Sequence, residues 1–593
     1  MILWFYNLVI SRYIHLKLNS PHFESIHDPK YFIKRFMYHQ KYMPDYISLG
    51  LCLLSCLFLI SLIFDKIFKT EKFIIYSFKK ARNSSISIIR NFLRFHDSIL
   101  EIANSDDPVS CGSILKKPPL TKELLDFIVI GSGPGGSIAV DGLHEAGFKT
   151  CLLESGNASF DKEPMPFSYA EMLYKYKYSG ISSTMGNASI AFVEGATLGG
   201  GSEVNSGLYH RPPSCVLNKW ESKFGLEGLS DDYMSPFYQR IERDLEVNYA
   251  PPNLIPNASL KLQEGANKLN WSCQEVPRWH NYSESGALGG TRITMTESYL
   301  SKYLSTGGLL YDNSKANSIK QLESNDWVIN VLKGDSKEVL YSKNIIFSCG
   351  TISTASLLKK SRLSNKAGTS FQMHPTIKVT ALFNEKVNRE NMGVPVHQVK
   401  EFSPDISFGC SISSKPYLRM SMLDYPDSLD AVENKWEYMA IYYVMILPEG
   451  VGSIRNVSFF KDPVTNYNLT CKDSRNLAYG LKKLCELLLA AGATRLYPSS
   501  KGFKEISSSK QLACLPEKLD LSNSNLMSVH LFSSCPIGEN RELCVADSYG
   551  KVFDKDGLYI SDGSMLPSAP GVNPQGSIMS LALRNNTRII ENL

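Results

Sequence analysis

The chain has 593 residues, of which 43% are apolar and 20% charged, and it contains 13 cysteines. This length predicts two or three domains, and the composition is that of an ordinary folded protein, which excludes disordered and fibrous classes. The net charge of +5 is uneven: residues 1–100 hold 14 Lys or Arg against 6 Asp or Glu, and the rest is slightly acidic. The body therefore gives no sequence-wide support for nucleic-acid binding. The cysteines show no CxxC or other metal-ligand spacing, which favours a reducing compartment and predicts no metal site.

The first hundred residues contain a long uncharged stretch. Residues 46–64 read YISLGLCLLSCLFLISLIF, close to the ~20 apolar residues that cross a bilayer. This stretch is a candidate transmembrane or monotopic helix, and a buried helix of a large protein is the alternative. Residues 72–100 mix basic and apolar positions at roughly helical spacing, which suits an anionic membrane surface. The segment 1–120 is therefore predicted to be a membrane-associated helical extension that is not cleaved.

The charges that flank this stretch bear on its orientation. Basic residues lie on both sides and are slightly more numerous after it, which favours a cytoplasmic body by the positive-inside rule. Before the stretch they are Lys30, Lys34, Arg35 and Lys41; after it they are Lys66, Lys69, Lys72, Lys79, Lys80 and Arg82.

A dinucleotide-binding pattern follows a predicted linker at 116–125. An apolar strand, Phe127–Ile130, runs into three spaced glycines, a helix-compatible stretch and a second apolar strand, Thr150–Leu153. The glycines suit a tight turn, the close approach of a pyrophosphate and close packing of helix on strand, and the helix N-terminus faces the phosphates. Glu154, 18 residues after the last glycine, is placed to accept hydrogen bonds from a ribose and disfavours a 2′-phosphate, leaving NAD or FAD. The predicted binding residues are Gly131, Ser132, Gly133, Pro134, Gly135, Gly136 and Glu154.

Three later stretches select between the two cofactors. The glycine-rich run EGATLGGGSEVN ends at Asn205 and suits backbone packed against a large flat ligand. In SCGTISTASLL an apolar strand turns at Gly350 into the start of a helix of small residues. The third stretch runs from His530 to Asn586 and contains ISDGSMLP and NPQG.

In the order and spacing of these motifs the chain resembles the glucose–methanol–choline (GMC) oxidoreductases, which are FAD enzymes that oxidise alcohols. The resemblance covers residues 122–593 and is closest to the cholesterol oxidase, long-chain alcohol oxidase and sugar dehydrogenase branches. It implies an α/β fold with a Rossmann-like FAD-binding domain and an antiparallel-sheet substrate domain, 376–520. The FAD-binding domain, 122–375 and 521–593, is discontinuous and has some substrate-domain segments inserted. Two motifs depart from the family: Thr354-Ala355 replaces Ser-Pro, and SSCPIG replaces GTCRMG.

The chemistry of alcohol oxidation needs a base and a group that holds the substrate oxygen. His530 matches the family's catalytic histidine, and imidazole suits proton transfer near neutral pH. Asn573 is its predicted partner, since its amide can donate to the oxygen as negative charge develops, and Pro574 suits a helix start. The helix that follows would point its positive end at the flavin. The resemblance further implies cofactor contacts for Gly199, Gly200, Gly201, Ser202, Asn205, Gly350, Asp562, Gly563, Pro574 and Gln575.

Substrate and acceptor stay open in the sequence. A sterol, long-chain alcohol, polyol or sugar is expected as substrate, and oxygen or a quinone-type molecule as electron acceptor. His374, in the family's His-Pro segment, is expected to be structural. The alternatives are a lyase or photoenzyme on the same fold and a membrane scaffold with a degenerate flavin domain.

Overall fold

A computed structural model describes residues 2–18, 37, 42–103, 120–158, 164–282, 290–390 and 392–593 of the protein. The predicted linker residues 116–119 and the flanking charges Lys30, Lys34, Arg35 and Lys41 lie outside these residues. The helices are α1 Ile2–Leu18, α2 Asp45–Ser55, α3 Leu59–Phe68, α4 Lys72–Arg82, α5 Ser87–Ala103, α6 Pro134–Glu145, α7 Tyr169–Lys175, α8 Ser214–Phe224, α9 Asp231–Asp244, α10 Asn257–Lys268, α11 Tyr299–Ser305, α12 Thr351–Lys360, α13 Lys415–Ser421, α14 Asp430–Lys435, α15 Cys471–Ala490 and α16 Gln575–Glu591.

The strands divide between two large sheets and three small ones. They are β1 Leu124–Ile130, β2 Thr150–Leu153, β3 Ile190–Phe192, β4 Val247–Asn248, β5 Cys273–Glu275, β6 Arg278–Asn281, β7 Thr291–Arg292, β8 Leu309–Tyr311, β9 Ser314–Gln321, β10 Trp327–Lys333, β11 Ser336–Phe347, β12 Gln372–Met373, β13 Thr376–Leu382, β14 His397–Val399, β15 Ile406–Ser411, β16 Met439–Ile446, β17 Val451–Arg455, β18 Val464–Asn468, β19 Arg495–Pro498, β20 Leu526–Ser528, β21 Leu531–Phe532 and β22 Leu558–Ile560.

The first large sheet carries the predicted dinucleotide pattern. Its order is β8-β2-β1-β11-β10-β9, with β22 pairing on β11, and the strands from β8 to β11 and β22 run parallel. The four residues of β2 are buried, as expected for a parallel strand covered on both faces. Helices α6 and α16 pack against each other beside this sheet. The carboxyl ends of β1, β11 and β22 therefore meet at one edge.

The second large sheet is mostly antiparallel, with the order β3-β20-β13-β16-β15-β14-β5 and β19 pairing on β13. Its centre, β13, β15 and β16, comes from residues 376–446, within the predicted substrate domain. The edge strands β3 and β5, and β20 next to β3, come from the parts of the chain assigned to the cofactor domain. The chain thus crosses between the two sheets several times, and β20 ends two residues before His530.

The N-terminal helices form a bundle with a hydrophobic core of its own. Tyr6, Ile14, Phe58 and Phe92 belong to this core, and it also includes Tyr169 and Ile181 from the body. The predicted segment 46–64 forms α2, a 3₁₀ turn at Cys56–Phe58 and α3. Among the described residues this stretch, Asp45–Phe68, is the one long and apolar enough to cross a membrane, and 22% of its most apolar window is buried.

The edge where β1 and β22 end depends on the absence of a side chain at Gly135. A Cβ there would overlap the carbonyl oxygen of Ser561. We predict that Gly135→Ala lowers the free energy of unfolding by about 3 kcal/mol, since the carbonyl belongs to backbone that cannot move independently. The thermal unfolding midpoint of the purified protein, followed by circular dichroism, measures this change.

Gly50→Ala is the matched control for this substitution. A Cβ at Gly50 meets no atom within 4 Å, and alanine is favoured over glycine in a helix by about 1 kcal/mol. The control midpoint should stay level or rise slightly. Equal midpoints for the two variants would contradict the packing argument.

Candidate active site at the meeting of the two sheets

A cavity of about 1160 Å³ lies where the parallel strand ends face the second sheet. This volume exceeds that of a pocket for one drug-sized ligand and leaves room for a cofactor with a substrate. Sixteen residues predicted from the sequence line it. They are Gly131, Ser132, Gly133, Pro134, Gly135, Glu154, Gly200, Gly201, Asn205, Gly350, His530, Asp562, Gly563, Asn573, Pro574 and Gln575.

Three other predicted residues lie behind the cavity wall. Gly136 packs helix α6 on the turn, since a Cβ there would overlap the carbonyl oxygen of Gly131. Gly199 has a φ of 83°, which favours glycine, and a Cβ there would overlap the Glu203 carboxyl group. The buried hydroxyl of Ser202 donates to the Gly199 carbonyl at 2.9 Å. These three residues shape the wall from behind.

Two carboxylates stand at the strand ends and already accept bonds from the protein. Glu154 accepts from the Ser132 amide at 3.1 Å, the Ser132 hydroxyl at 2.6 Å and the Gly156 amide at 2.7 Å. Asp562 accepts from the Gly350 amide at 2.9 Å and the Thr354 hydroxyl at 2.5 Å. Burial raises the pKa of Asp562. Thr354, one of the departures from the family pattern, therefore helps to join β22 to helix α12.

His530 lies opposite His374 because of a short strand pairing. The residues Met373 and Leu531 pair in the antiparallel ladder of β12 and β21, which sets the two histidines across from each other. Their Nδ1 atoms are 3.1 Å apart. The ring of His374 also packs edge-on against Phe532, with 4.8 Å between centroids. His374, which the sequence led us to expect as structural, is thus in direct contact with the predicted base.

Asn573 completes the pair that faces the cavity. Its Nδ2 lies 3.2 Å from Nε2 of His530, and its Oδ1 accepts from Nε2 of Gln398 at 3.1 Å. Gln398 lies on β14 and also donates to the Tyr443 hydroxyl at 3.3 Å. Because Gln398 occupies the Asn573 oxygen, the amide nitrogen of Asn573 is directed at His530.

The contacts specify where the protons lie. With Asn573 donating to Nε2, a neutral His530 carries its hydrogen on Nδ1 and donates it to Nδ1 of His374. His374 then carries its own hydrogen on Nε2, a buried atom that has no hydrogen-bond partner among the described residues. Burial and then the charge of Lys400 lower the pKa of His530 to about 4. His530 is therefore neutral at pH 7, with the Nε2 lone pair directed at the cavity side.

Lys400 is a cation of this region that no sequence motif marks. It follows β14, two residues after Gln398, so the two side chains leave the strand on the same face. Its Nζ is buried without a hydrogen-bond partner among the described residues, and burial lowers its pKa to about 8. In addition to burial, the positive charge of Lys400 lowers the pKa of His530, His374 and His210. Gln398, Tyr443 and Lys400 belong to no local motif.

Comparisons with known proteins identify the family that the sequence motifs resemble. Residues 126–376 and 448–582 match the N- and C-terminal family models of the GMC oxidoreductases. The chain belongs to the GMC oxidoreductase family. It is 31% identical over 477 residues to an uncharacterised GMC-type oxidoreductase of Sinorhizobium fredii, covering 77% of this chain and 93% of that protein.

Two more distant likenesses concern a curated relative and the fold. It is 25% identical to a long-chain-alcohol oxidase of Arabidopsis thaliana, covering 79% of this chain and 68% of that protein. The crystal structure of pyridoxine 4-oxidase from Mesorbium loti superposes with a TM-score of 0.61 at 14% identity, covering 78% of this chain and 99% of that one. This GMC oxidoreductase is accordingly an enzyme that acts on CH–OH groups, and members of its family typically bind FAD.

Gly133 offers a test of what the cavity holds. A Cβ at Gly133 meets no protein atom within 4 Å, and its φ of −62° and ψ of 179° suit any residue. We predict that Gly133→Val keeps the unfolding midpoint of the apoprotein but loses bound flavin, because its methyl groups enter the space left for the pyrophosphate. The flavin absorbance per mole of purified protein measures this loss.

Gly50→Val is the matched control, since a Cβ at Gly50 also meets no atom within 4 Å. It should purify with the wild-type amount of flavin. A Gly133→Val protein that retains its flavin would show that the glycine turn does not face the cofactor.

Proposed function

We propose that this protein is an FAD-dependent enzyme that oxidises an alcohol, with His530 as general base and Asn573 holding the substrate oxygen. The observation that supports this proposal most directly is the His530–Asn573 pair. Nε2 of His530 lies 3.2 Å from Nδ2 of Asn573, on the wall of a cavity that the dinucleotide-binding turn also lines. Electrons would pass to oxygen or a quinone-type acceptor. The basic and apolar N-terminal helices favour an enzyme associated with a membrane, with its body in the cytoplasm.

The residues of the cavity suit an FAD. Gly133 and Gly201 both leave open space where a Cβ would stand, so the backbone can be approached closely there. Helix α6 begins at the glycine turn, and its free N–H groups suit the pyrophosphate. Helix α16 begins beside Asn573, where Pro574, Gln575 and Ile578 line the cavity. When bound, FAD would supply the acceptor for the hydride at N5.

The protein side of the reaction follows from the hydrogen bonds. A substrate hydroxyl that displaces the direct Asn573–His530 hydrogen bond accepts a bond from Nδ2 and donates its proton to the Nε2 lone pair thus freed. The Asn573 amide cannot rotate freely, because Gln398 holds its oxygen. After proton transfer His530 is a cation whose Nδ1–H still bonds to neutral His374. The positive end of helix α16 favours negative charge beside it by ~0.3–1 kcal/mol.

A variant of His530 tests the base. We predict that His530→Gln lowers the rate of flavin reduction by about 10²–10⁴-fold, the usual contribution of a positioned base. The measurement is anaerobic bleaching of the flavin by a panel of sterols, long-chain alcohols, polyols and sugars, with the amount of bound flavin recorded for each protein. A panel in which no alcohol bleaches the wild-type flavin would contradict the proposed reaction.

His144→Gln is the matched histidine control, since His144 lies on helix α6 and does not line the cavity. It should reduce at the wild-type rate. If His530→Gln also kept that rate, His530 would not be the base. Formation of hydrogen peroxide, compared with reduction of a soluble quinone, would distinguish the two acceptors.

Lys400 predicts a pH effect with a definite sign. Removing its positive charge in Lys400→Met should raise the pKa of His530 from about 4 towards its ordinary value. The rate of flavin reduction falls where the base becomes protonated, so its acidic limb should move to higher pH in the variant. Stopped-flow reduction across pH 4–8 measures the limb.

Lys378 supplies the matched control. Burial lowers its pKa to about 8 as well, but its charge is not among the causes that shift the pKa of His530. Lys378→Met should leave the limb in place. An acidic limb that is identical in wild type and Lys400→Met would mean that the Lys400 charge does not reach the base.

A further inference from the structure

The helices α3 and α4 form a hairpin whose outer face is apolar. Helix α3 ends at Lys69, which has a left-handed φ of 48°, and α4 returns along it, with the Ser61 and Ser77 hydroxyls 2.5 Å apart. At the tip, Phe64, Phe68 and Phe73 form an aromatic cluster with ring centroids 5.5–6.2 Å apart. These rings are 43%, 61% and 42% exposed. Three contacting phenylalanines in water are unusual for a surface that has no partner.

Exposed apolar residues also continue from this tip back along α3 and into α2. Leu53, Leu57, Ile60, Phe64 and Ile67 follow at intervals of three or four residues, so they share one side of the nearly continuous stretch Asp45–Phe68. Ile60 and Ile67 are 66% and 65% exposed. We call this stripe, with Phe68, Phe73, Ile75 and Tyr76, the apolar face.

The rim of the apolar face is basic. Residues 59–82 hold six Lys or Arg against two acids, and both acids are occupied. Asp65 is buried and accepts from the amides of Phe73 and Ile74 at 3.0 and 2.7 Å, and Glu71 pairs with Arg12. The exposed lysines are Lys66, Lys69, Lys72, Lys79 and Lys80. An apolar centre with a cationic rim matches the interface of a bilayer with anionic headgroups.

The other side of the same stretch is fixed to the protein. Leu51, Cys52, Ser55 and Phe58 are buried in the bundle, and the ring of Phe58 stacks on Phe92 at 5.7 Å. To cross a membrane the stretch would have to leave this core, and Asp65 would lose the two amides it caps. The contacts therefore favour a helix that lies on the bilayer over one that spans it.

We propose that the apolar face docks on one leaflet of an anionic lipid bilayer as a monotopic anchor, with the lysine rim at the headgroups. The body beyond residue 100 is slightly acidic, so it is not attracted to the anionic headgroups. The wall of the cavity lies next to the start of α2: Tyr46 packs on Phe460 at 6.1 Å, and Asp45 accepts from the Lys461 amide at 2.7 Å. Phe460 and Lys461 line the cavity.

Vesicle binding by the full-length protein tests the docking. The protein is sedimented with vesicles of phosphatidylcholine alone and of phosphatidylcholine with phosphatidylserine. We expect binding to the anionic vesicles, weakened at about 1 M salt, where the Debye length is ~3 Å. The triple variant Lys66→Gln, Lys69→Gln, Lys72→Gln should bind roughly a hundredfold more weakly. Exposed lysines of the body, changed in Lys122→Gln, Lys219→Gln, Lys337→Gln, serve as the charge control and should bind like wild type.

The contribution of the exposed apolar residues is tested with a second variant and its control. The variant Ile60→Asn, Ile67→Asn, Phe68→Ser should abolish sedimentation with either vesicle, whereas Leu260→Asn, Leu322→Asn, Val339→Asn, at exposed sites on the body, should not. Flavin reduction by a soluble alcohol should be unchanged in all four variants, so that failure of docking is distinct from failure of the proposed catalysis.

Two results would overturn the proposal. Equal binding of wild type and both hairpin variants to neutral and anionic vesicles would rule out this face as the anchor. If the apolar variant instead abolished a dimer seen by light scattering, with no vesicle binding by wild type, the face would be a protein interface.

Sealed membrane vesicles with the cytoplasmic face outward distinguish docking from spanning. With a tag at each terminus, external protease should remove both tags from a docked protein, because α1 and the body lie on the same side. Protection of one tag alone would mean that the stretch Asp45–Phe68 spans the bilayer.

Discussion

The site depends on the close backbone approach of three strand ends. Ile130, Phe347 and Ile560 are in register across β1, β11 and β22, so the chain leaves all three strands at the same level. A Cβ at Gly131 would overlap the carbonyl of Ser348, and one at Gly135 the carbonyl of Ser561. Two glycines thus allow segments more than 400 residues apart to form one floor. Asp562 then ties that floor together through the Gly350 amide and the Thr354 hydroxyl.

The opposite wall is built from the second sheet, and it determines how the amide of Asn573 is oriented. Tyr443 on β16 reaches across Gly409 to Gln398, because a side chain at Gly409 would overlap the Tyr443 hydroxyl. Gln398 then holds the oxygen of Asn573. The second sheet consequently does more than border a substrate space: it fixes the donor that faces His530. The two sheets position the two halves of one acid–base pair.

The local parts of this arrangement could be predicted from the sequence. Strand β2, Thr150–Leu153, has the expected bounds. Glycine spacing identified the turn because its physical requirements involve consecutive residues. The motif resemblance selected His530 and Asn573, which the fold brings together across 43 residues.

The parts that were missed depend on strand pairing between distant residues. Gln398 reaches Asn573 across 175 residues and His374 reaches His530 across 156, through sheet registers that leave no local pattern. Strand β20, in 521–593, likewise pairs with β13 and β3 of the second sheet, more than 140 and more than 330 residues away along the chain. A prediction from composition and periodicity has no access to these pairings.

For the N-terminal stretch, too, the sequence alone does not determine the surroundings of the helix, which are lipid, protein or the interface between lipid and water. Its length and composition suit a span, a buried helix and a surface anchor, since an apolar run of about 20 residues is long enough to span and is also compatible with the other two. The choice depends on Phe92 and the returning helix α4, which lie further along the chain, and on Asp65, which accepts from the amides of α4. Once these hold one side of α2 and α3, the opposite side keeps apolar residues such as Ile60 and Ile67 exposed. The start of α2 contacts Phe460, which lines the cavity, so the anchor and the cavity share a wall.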